Sequence, residues 1–227
     1  MIAIDSIIKL NTSVVFVTRN AEVGLGVPGL LLGANPLGLN QIIEDPDAQQ
    51  SADGLVLSSM RNQFVATISA NRLQFDDRSE ERPARQDFPD RVTRAAEFIG
   101  RSSNQAYSAV VIIFEIEASP AINVLPSETM LNLFVKPDVL AGTRYNAMGA
   151  AARLWYSADD RTYEFRLEPR GNQYNGRDYF AHLNIGVMLP GTVPSPAWLS
   201  RVLYEEYEEF KSFLSEIPKI SERSKPW

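Results

Sequence analysis

Gln63–Asp77 reads QFVATISANRLQFDD, and its alternation decides the fold class. Phe64, Ala66 and Ile68 alternate with Gln63, Val65, Thr67 and Ser69, and Leu73 and Phe75 alternate with Arg72, Gln74 and Asp76. A period of two sends successive side chains to opposite faces of a strand, so this is a sheet with one buried side. Ala70-Asn71 supplies the turn, because asparagine tolerates left-handed backbone geometry. Residues 54–60 read as a third strand, giving a meander of 54–60, 63–69 and 72–77.

Toward the N-terminus, residues 2–10 and 13–18 are rich in Ile and Val. Asn11-Thr12 separates them, and a hairpin of two strands is expected. Arg19 to Asp53 then reads as a long irregular stretch with Gly24, Gly26, Gly29, Gly33 and Gly38. Loops of that length are uncommon in compact domains unless they have a function or take order from a partner. The segment GLGVPGLLLG has no Gly-Lys-Ser/Thr sequence, so it is no phosphate-cradling loop. Its apolar residues Leu25, Val27, Leu30, Leu31 and Leu32 are expected to be buried inside or against another chain, and they form the candidate partner interface.

Toward the C-terminus, a charge-dense connector leads into a helix at 88–102. Pro89 suits its first turn, and Asp87 and Asp90 suit the positive end of its dipole. Phe88, Val92, Ala95, Ala96 and Ile99 share one face, and Gly100 is a candidate end. Residues 107–118, YSAVVIIFEIEA, are apolar on both faces and read as a central strand covered on two sides. Ser127 is placed to cap a short helix with Met130, Leu131 and Phe134 on its inner face. Strands follow at 144–157, 161–168 and 178–189. A helix at 196–216 closes the chain, with Ser195 as cap and Pro196 first. Leu199, Val202, Leu203, Phe210, Phe213 and Leu214 form its stripe, while Glu205, Glu208, Glu209 and Lys211 face water.

These elements predict an α+β protein: antiparallel β-sheet meanders with helices packed on one face, as two β-meander-plus-helix units in pseudo-repeat. One domain spanning 1–227 is expected, with possible halves at 1–118 and 119–217 and a loose tail at 218–227. At 227 residues, 44% hydrophobic and 22% charged, the chain can bury a core without staples.

The absence of cysteine rules out disulfides, thiolate catalysis and cysteine-held zinc or iron–sulfur sites, and leans toward a reducing compartment. Met1 to Leu10 carries Asp5 and no leading basic region, so it does not read as a signal peptide. Residues 23–43 are uncharged but broken by Pro28 and Pro36, which argues against a membrane span. A cytoplasmic location is the expectation. The net charge of −6 disfavours non-specific binding to phosphate backbones. Arg78, Arg82, Arg85, Arg91 and Arg94 cluster, but Asp76, Asp77, Glu80, Glu81, Asp87 and Asp90 lie among them and cancel their charge.

Strict alternation also sorts the polar residues of the second half. Arg153 and Trp155 share one strand face, Glu164 and Arg166 another, and His182 and Asn184 a third, opposite the core-directed Tyr179, Ala181, Leu183 and Ile185. If the strands pair in register, these side chains meet on one surface. Arg153, Trp155, Arg166, His182 and Asn184 are the candidate binding residues, with arginines for bidentate recognition and tryptophan for contact area. His182 is the only histidine, but no GxSxG elbow accompanies it, so no catalytic residue is assigned. Glu115 and Glu117 lie two apart on one strand face and are a second choice for acid–base or metal chemistry. No third ligand has an identifying spacing, so no metal or cofactor is assigned.

The function this predicts is a non-catalytic cytoplasmic binding or assembly protein, an adaptor or subunit acting with a protein partner or by self-association. The alternative is an enzyme or small-molecule binder using the polar face around Arg153, Arg166 and His182. An acidic inhibitor of a basic protein is the third reading.

Overall fold

In the computed structural model, the described residues are 4–18, 39, 42–43, 47–51, 54–61, 63–69, 71–104, 106–120, 126–134, 150–170 and 178–223. Nine strands form one sheet: β1 (Ile4–Thr18), β2 (Asp47–Ser51), β3 (Gly54–Ser59), β4 (Phe64–Ser69), β5 (Arg72–Asp77), β6 (Tyr107–Pro120), β7 (Ala152–Ala158), β8 (Arg161–Pro169) and β9 (Tyr179–Met188). Among the described residues, the helices that accompany them with defined bounds are α1 (Phe88–Ser103), α2 (Pro126–Phe134) and α3 (Pro196–Arg223). The strand order is β2-β3-β4-β5-β1-β6-β9-β8-β7, and every neighbour is antiparallel.

The α+β class with an antiparallel meander is therefore what the structure has. The meander of β3, β4 and β5 lies where the alternation put it. Gly54 opens β3 at a φ of 154°, and a Cβ there would stand 2.1 Å from the Ile68 carbonyl oxygen, so glycine is required. The long connector read after β1 contains one further strand, β2, paired along β3. Leu25, Val27, Leu30, Leu31 and Leu32 lie outside the described residues.

The N-terminal expectation is corrected. Residues 4–18 form a single strand, not a hairpin. Asn11 and Thr12 stay in the ladder opposite Glu115 and Phe114, and each side chain has a hydrogen bond, Asn11 across the ladder and Thr12 to the connector after β5. Asn11 Nδ2 donates to Glu115 Oε2 at 3.1 Å, and the Thr12 hydroxyl donates to the Pro83 carbonyl. A polar pair in mid-strand is tolerated when side-chain hydrogen bonds such as these offset part of its desolvation.

One sheet face is the core. Leu10, Val14 and Phe16 of β1 align with Leu73 and Phe75 of β5 on one side and with Ile116, Ile112 and Val110 of β6 on the other. The row continues through Ala181, Ile185 and Val187 of β9. These residues are buried, under the apolar face of α1 and the stripe of α3. α1 and α3 also pack on each other, and α2 packs on β8. Ser195 caps α3 as expected, its Oγ accepting from the Trp198 N–H at 3.2 Å. Asn104, in the left-handed conformation, ends α1 in place of Gly100.

The opposite face carries the other half of the alternation. Val111 and Ile113 of β6 are half-buried there, so β6 is central in strand order but is not equally covered on both sides. No helix among the described residues is long and apolar enough to cross a membrane.

Candidate functional site

The pairing registers bring the candidate binding residues onto this open face. Arg153 of β7 stands opposite Arg166 of β8, Arg166 opposite His182 of β9, His182 opposite Glu115 of β6, and Glu115 opposite Asn11 of β1. The next row runs Trp155, Glu164, Asn184, Ile113 and Ser13, and ends on Asp76 of β5. On the far side of the first row, Glu168 faces Phe180, which faces Glu117. The five chosen residues are thus neighbours. Glu115, Asn11 and Phe180 extend the cluster beyond what alternation alone identified.

Charges and rings are locally paired. Arg153 Nε donates to Glu164 Oε1 at 2.6 Å while its guanidinium lies 4.8 Å from the Trp155 ring centre. Arg166 Nη2 donates to Glu168 Oε1 at 3.1 Å, and its guanidinium lies 5.6 Å from the Phe180 ring. Phe180 stacks on His182 with centroids 6.2 Å apart and planes at 15°. Arg170 pairs with Glu117. On β1 and β5, Ser13 Oγ donates to Asp76 Oδ1 at 2.7 Å and Gln74 Nε2 does so at 2.9 Å.

The satisfaction is incomplete. Asn11 Oδ1, Arg166 Nε, His182 Nδ1 and Asn184 Oδ1 are buried without a hydrogen-bond partner among the described residues. The only other such atoms there are the hydroxyls of Thr18 and Tyr207. Four of the six therefore fall on two adjacent rows of one sheet face. Each stranded group costs about 1–3 kcal/mol, so such clustering needs a physical reason.

Burial pushes the His182 pKa below its ordinary value, with the Arg166 and Arg153 charges adding to the effect and those of Glu115 and Glu164 opposing it. The imidazole is therefore neutral at pH 7 and can accept a hydrogen bond on one nitrogen. No hydroxyl nucleophile is hydrogen-bonded to it among the described residues.

A cavity of about 400 Å³ adjoins the rows at the β1–β6–β9 end. Asn11, Arg78, Glu80, Glu115, Glu117 and Phe180 line it, whereas Arg153, Arg166 and His182 do not. Among the described residues no group of three or more carboxylates and imidazoles is arranged to hold a metal ion. Arg91 and Arg94 of α1 are paired locally, with Asp87 at 2.7 Å and Asp90 at 3.2 Å.

Sequence comparison finds no family model and no curated protein that matches this chain.

Proposed function

We propose that the chain is a non-catalytic binding and assembly protein whose recognition surface is the open sheet face around Arg153, Trp155, Arg166, His182 and Asn184. One observation carries the reading: the cluster of buried polar atoms left unpaired among the described residues. Asn184 Oδ1, Asn11 Oδ1 and the free nitrogen of His182 accept, and Arg166 Nε donates. A partner offering both donors and acceptors, as a polypeptide surface does, completes that set. A cytoplasmic setting goes with this reading, on the cysteine-free composition.

His182 reports on its own proposal. It is the only histidine, so its imidazole Cε1–H proton is the one signal of its kind in a proton NMR spectrum. Partners captured from native lysate on the immobilised chain, then purified and titrated, should move that line. Arg166→Ala should weaken the titration at least about tenfold, a loss of about 1.4 kcal/mol. A captured partner that binds and leaves the line unmoved would defeat the reading. A small metabolite that moves the line alone would favour the alternative of a small-molecule binder, for which the cavity beside Glu115 and Glu117 speaks.

A further inference from the structure

The two edges of the sheet are built differently. β2, at one end, is five residues of sequence DAQQS, with Asp47, Ala48 and Gln49 exposed. A short, polar, acidic strand is a protected edge. β7, at the other end, is seven residues, ARLWYSA, without proline or glycine. Leu154, Trp155 and Tyr156 are 46%, 65% and 44% exposed. Its one charge, Arg153, is folded back onto Glu164 and Trp155 and does not guard the edge. The outward N–H and C=O groups of β7 therefore lie among apolar side chains, the arrangement that strand addition uses.

Beside this edge, on the core side, α3 leaves a groove of about 230 Å³. Leu154, Tyr156, Phe165, Phe210 and Phe213 form its apolar lining, and Glu206 and Glu209 reach it from the helix. Glu205 and Glu208 pair with Arg201 and Lys211 on their own helix, and Glu206 is held by Arg161 and the Tyr163 hydroxyl. Glu209 is left as the groove carboxylate without an ion pair among the described residues. Burial, and then the charges of Glu209 and Glu206, push the Tyr156 phenol up, which marks the groove as negative.

That charge decides between occupants. A second copy pairing β7 with β7 would match Leu154 to Tyr156, but would bring two α3 flanks together, each with a Glu209 carboxylate that has no ion pair among the described residues. A foreign strand with basic side chains meets no such repulsion.

We propose that β7 accepts an extended segment of another protein as a tenth strand, one that turns an apolar side chain into the groove and, two residues on, a Lys or Arg toward Glu209. This rests on the chain's being a binding protein, but not on the polar rows of the open face.

The test uses the full chain and fluorescence anisotropy with a labelled peptide, Ser-Val-Thr-Phe-Thr-Lys-Thr-Val-Ser, which places Val, Phe and Lys on one face. Binding is expected. N-methylation of alternate amides along the pairing edge should weaken it about tenfold or more, because side chains are kept while ladder donors are lost. Replacing the peptide lysine by glutamate should weaken it similarly, and Glu209→Lys should restore that second peptide. Arg166→Ala should leave the affinity unchanged. That result keeps a failure of the polar-row reading distinct from a failure of this one. The proposal is overturned by silence of the peptide up to about 1 mM, by indifference to N-methylation on both edges, or by loss of binding with Arg166→Ala. A dimer in sedimentation that Leu154→Arg disperses would assign the edge to a second copy and overturn it as well. Should Leu154→Arg not fold, the peptide-side changes still decide.

Discussion

The two faces of the sheet share every backbone hydrogen bond, yet they differ in what they leave undone. On the core face, buried polar groups mostly find partners nearby. Asp77 accepts from the backbone N–H groups of Ser79 at 2.8 Å and Arg85 at 2.7 Å, and the Tyr107 hydroxyl donates to the Ala96 carbonyl at 2.7 Å. On the open face, Asn11, Arg166, His182 and Asn184 each keep an unpaired buried atom. Helices close the first face, while among the described residues only neighbouring strands flank the second. A fold can therefore be stable on one side and chemically unfinished on the other, and the unfinished side is where binding belongs.

The largest effect expected separates the faces by stability. Phe210 is buried on α3 against Phe114 and Phe165, with ring centroids at 6.4 and 6.0 Å. Phe210→Ala should cost about 3–5 kcal/mol in denaturant unfolding, as for a core aromatic. Glu208→Ala on the exposed side of the same helix should stay within about 0.5 kcal/mol of neutral. If the two variants unfold alike, the core face is misplaced.

Next comes the charge buried on the core side. Glu206 is 3% exposed and pairs with Arg161, which is 22% exposed. Burial raises the Glu206 pKa, and Arg161 and Tyr163 oppose the rise. Burial, then the Glu206 charge, push the Tyr163 phenol up to about 12. Arg161→Met would strand the carboxylate and should cost about 3 kcal/mol at pH 7, the lower end for a broken buried pair because the arginine is partly solvated. The folded protein then holds its proton to higher pH than the unfolded chain does. The penalty should therefore shrink as pH falls toward about 4. Melts at both pH values check it, and an equal loss at each would mean that Glu206 stays charged without its partner.

What the sequence made legible follows the reach of its signals. Period two is local, so it identified the meander and sorted Arg153, Arg166 and His182 onto their strand faces. Register is not local. That Asn11 and Glu115 complete the row depends on β1, β6 and β9 pairing across long stretches of chain. Asn11-Thr12 looked like a turn because its partners, Glu115 and Pro83, are distant in sequence. Glu206 was missed for the opposite reason: its position falls on the apolar stripe three residues from Leu203 and four from Phe210, but an acid there was not expected to be buried. The exposed edge at β7 has no sequence signature, since an edge strand and an inner strand can carry the same alternation.

A smaller effect, of opposite sign, sharpens the contrast between the faces. Asn184→Leu removes a buried acceptor without a partner and adds apolar surface beside Ile113. The isolated chain should become more stable, by up to about 1 kcal/mol, while partner binding is lost. Thermal melts read the first and the partner titration the second. Destabilisation of the isolated chain would mean that Asn184 is satisfied within the fold, and the open face would then be finished after all.

The mildest test changes no residue. Because burial and the two arginines outweigh the two glutamates, the His182 line should titrate with a midpoint below 6.5, the ordinary value. The unfolded chain then binds a proton that the folded chain refuses. His182 therefore contributes stability above pH 6.5 that is lost as pH falls through the interval down to its folded midpoint. Arg166→Met removes a repelling charge and should raise the midpoint, whereas Glu115→Gln removes an attracting one and should lower it further. Opposite shifts from residues on either side of one imidazole require the row to exist as a physical neighbourhood. If neither substitution moves the midpoint, the register across β8, β9 and β6 does not bring these charges to His182, and the open face holds no common site.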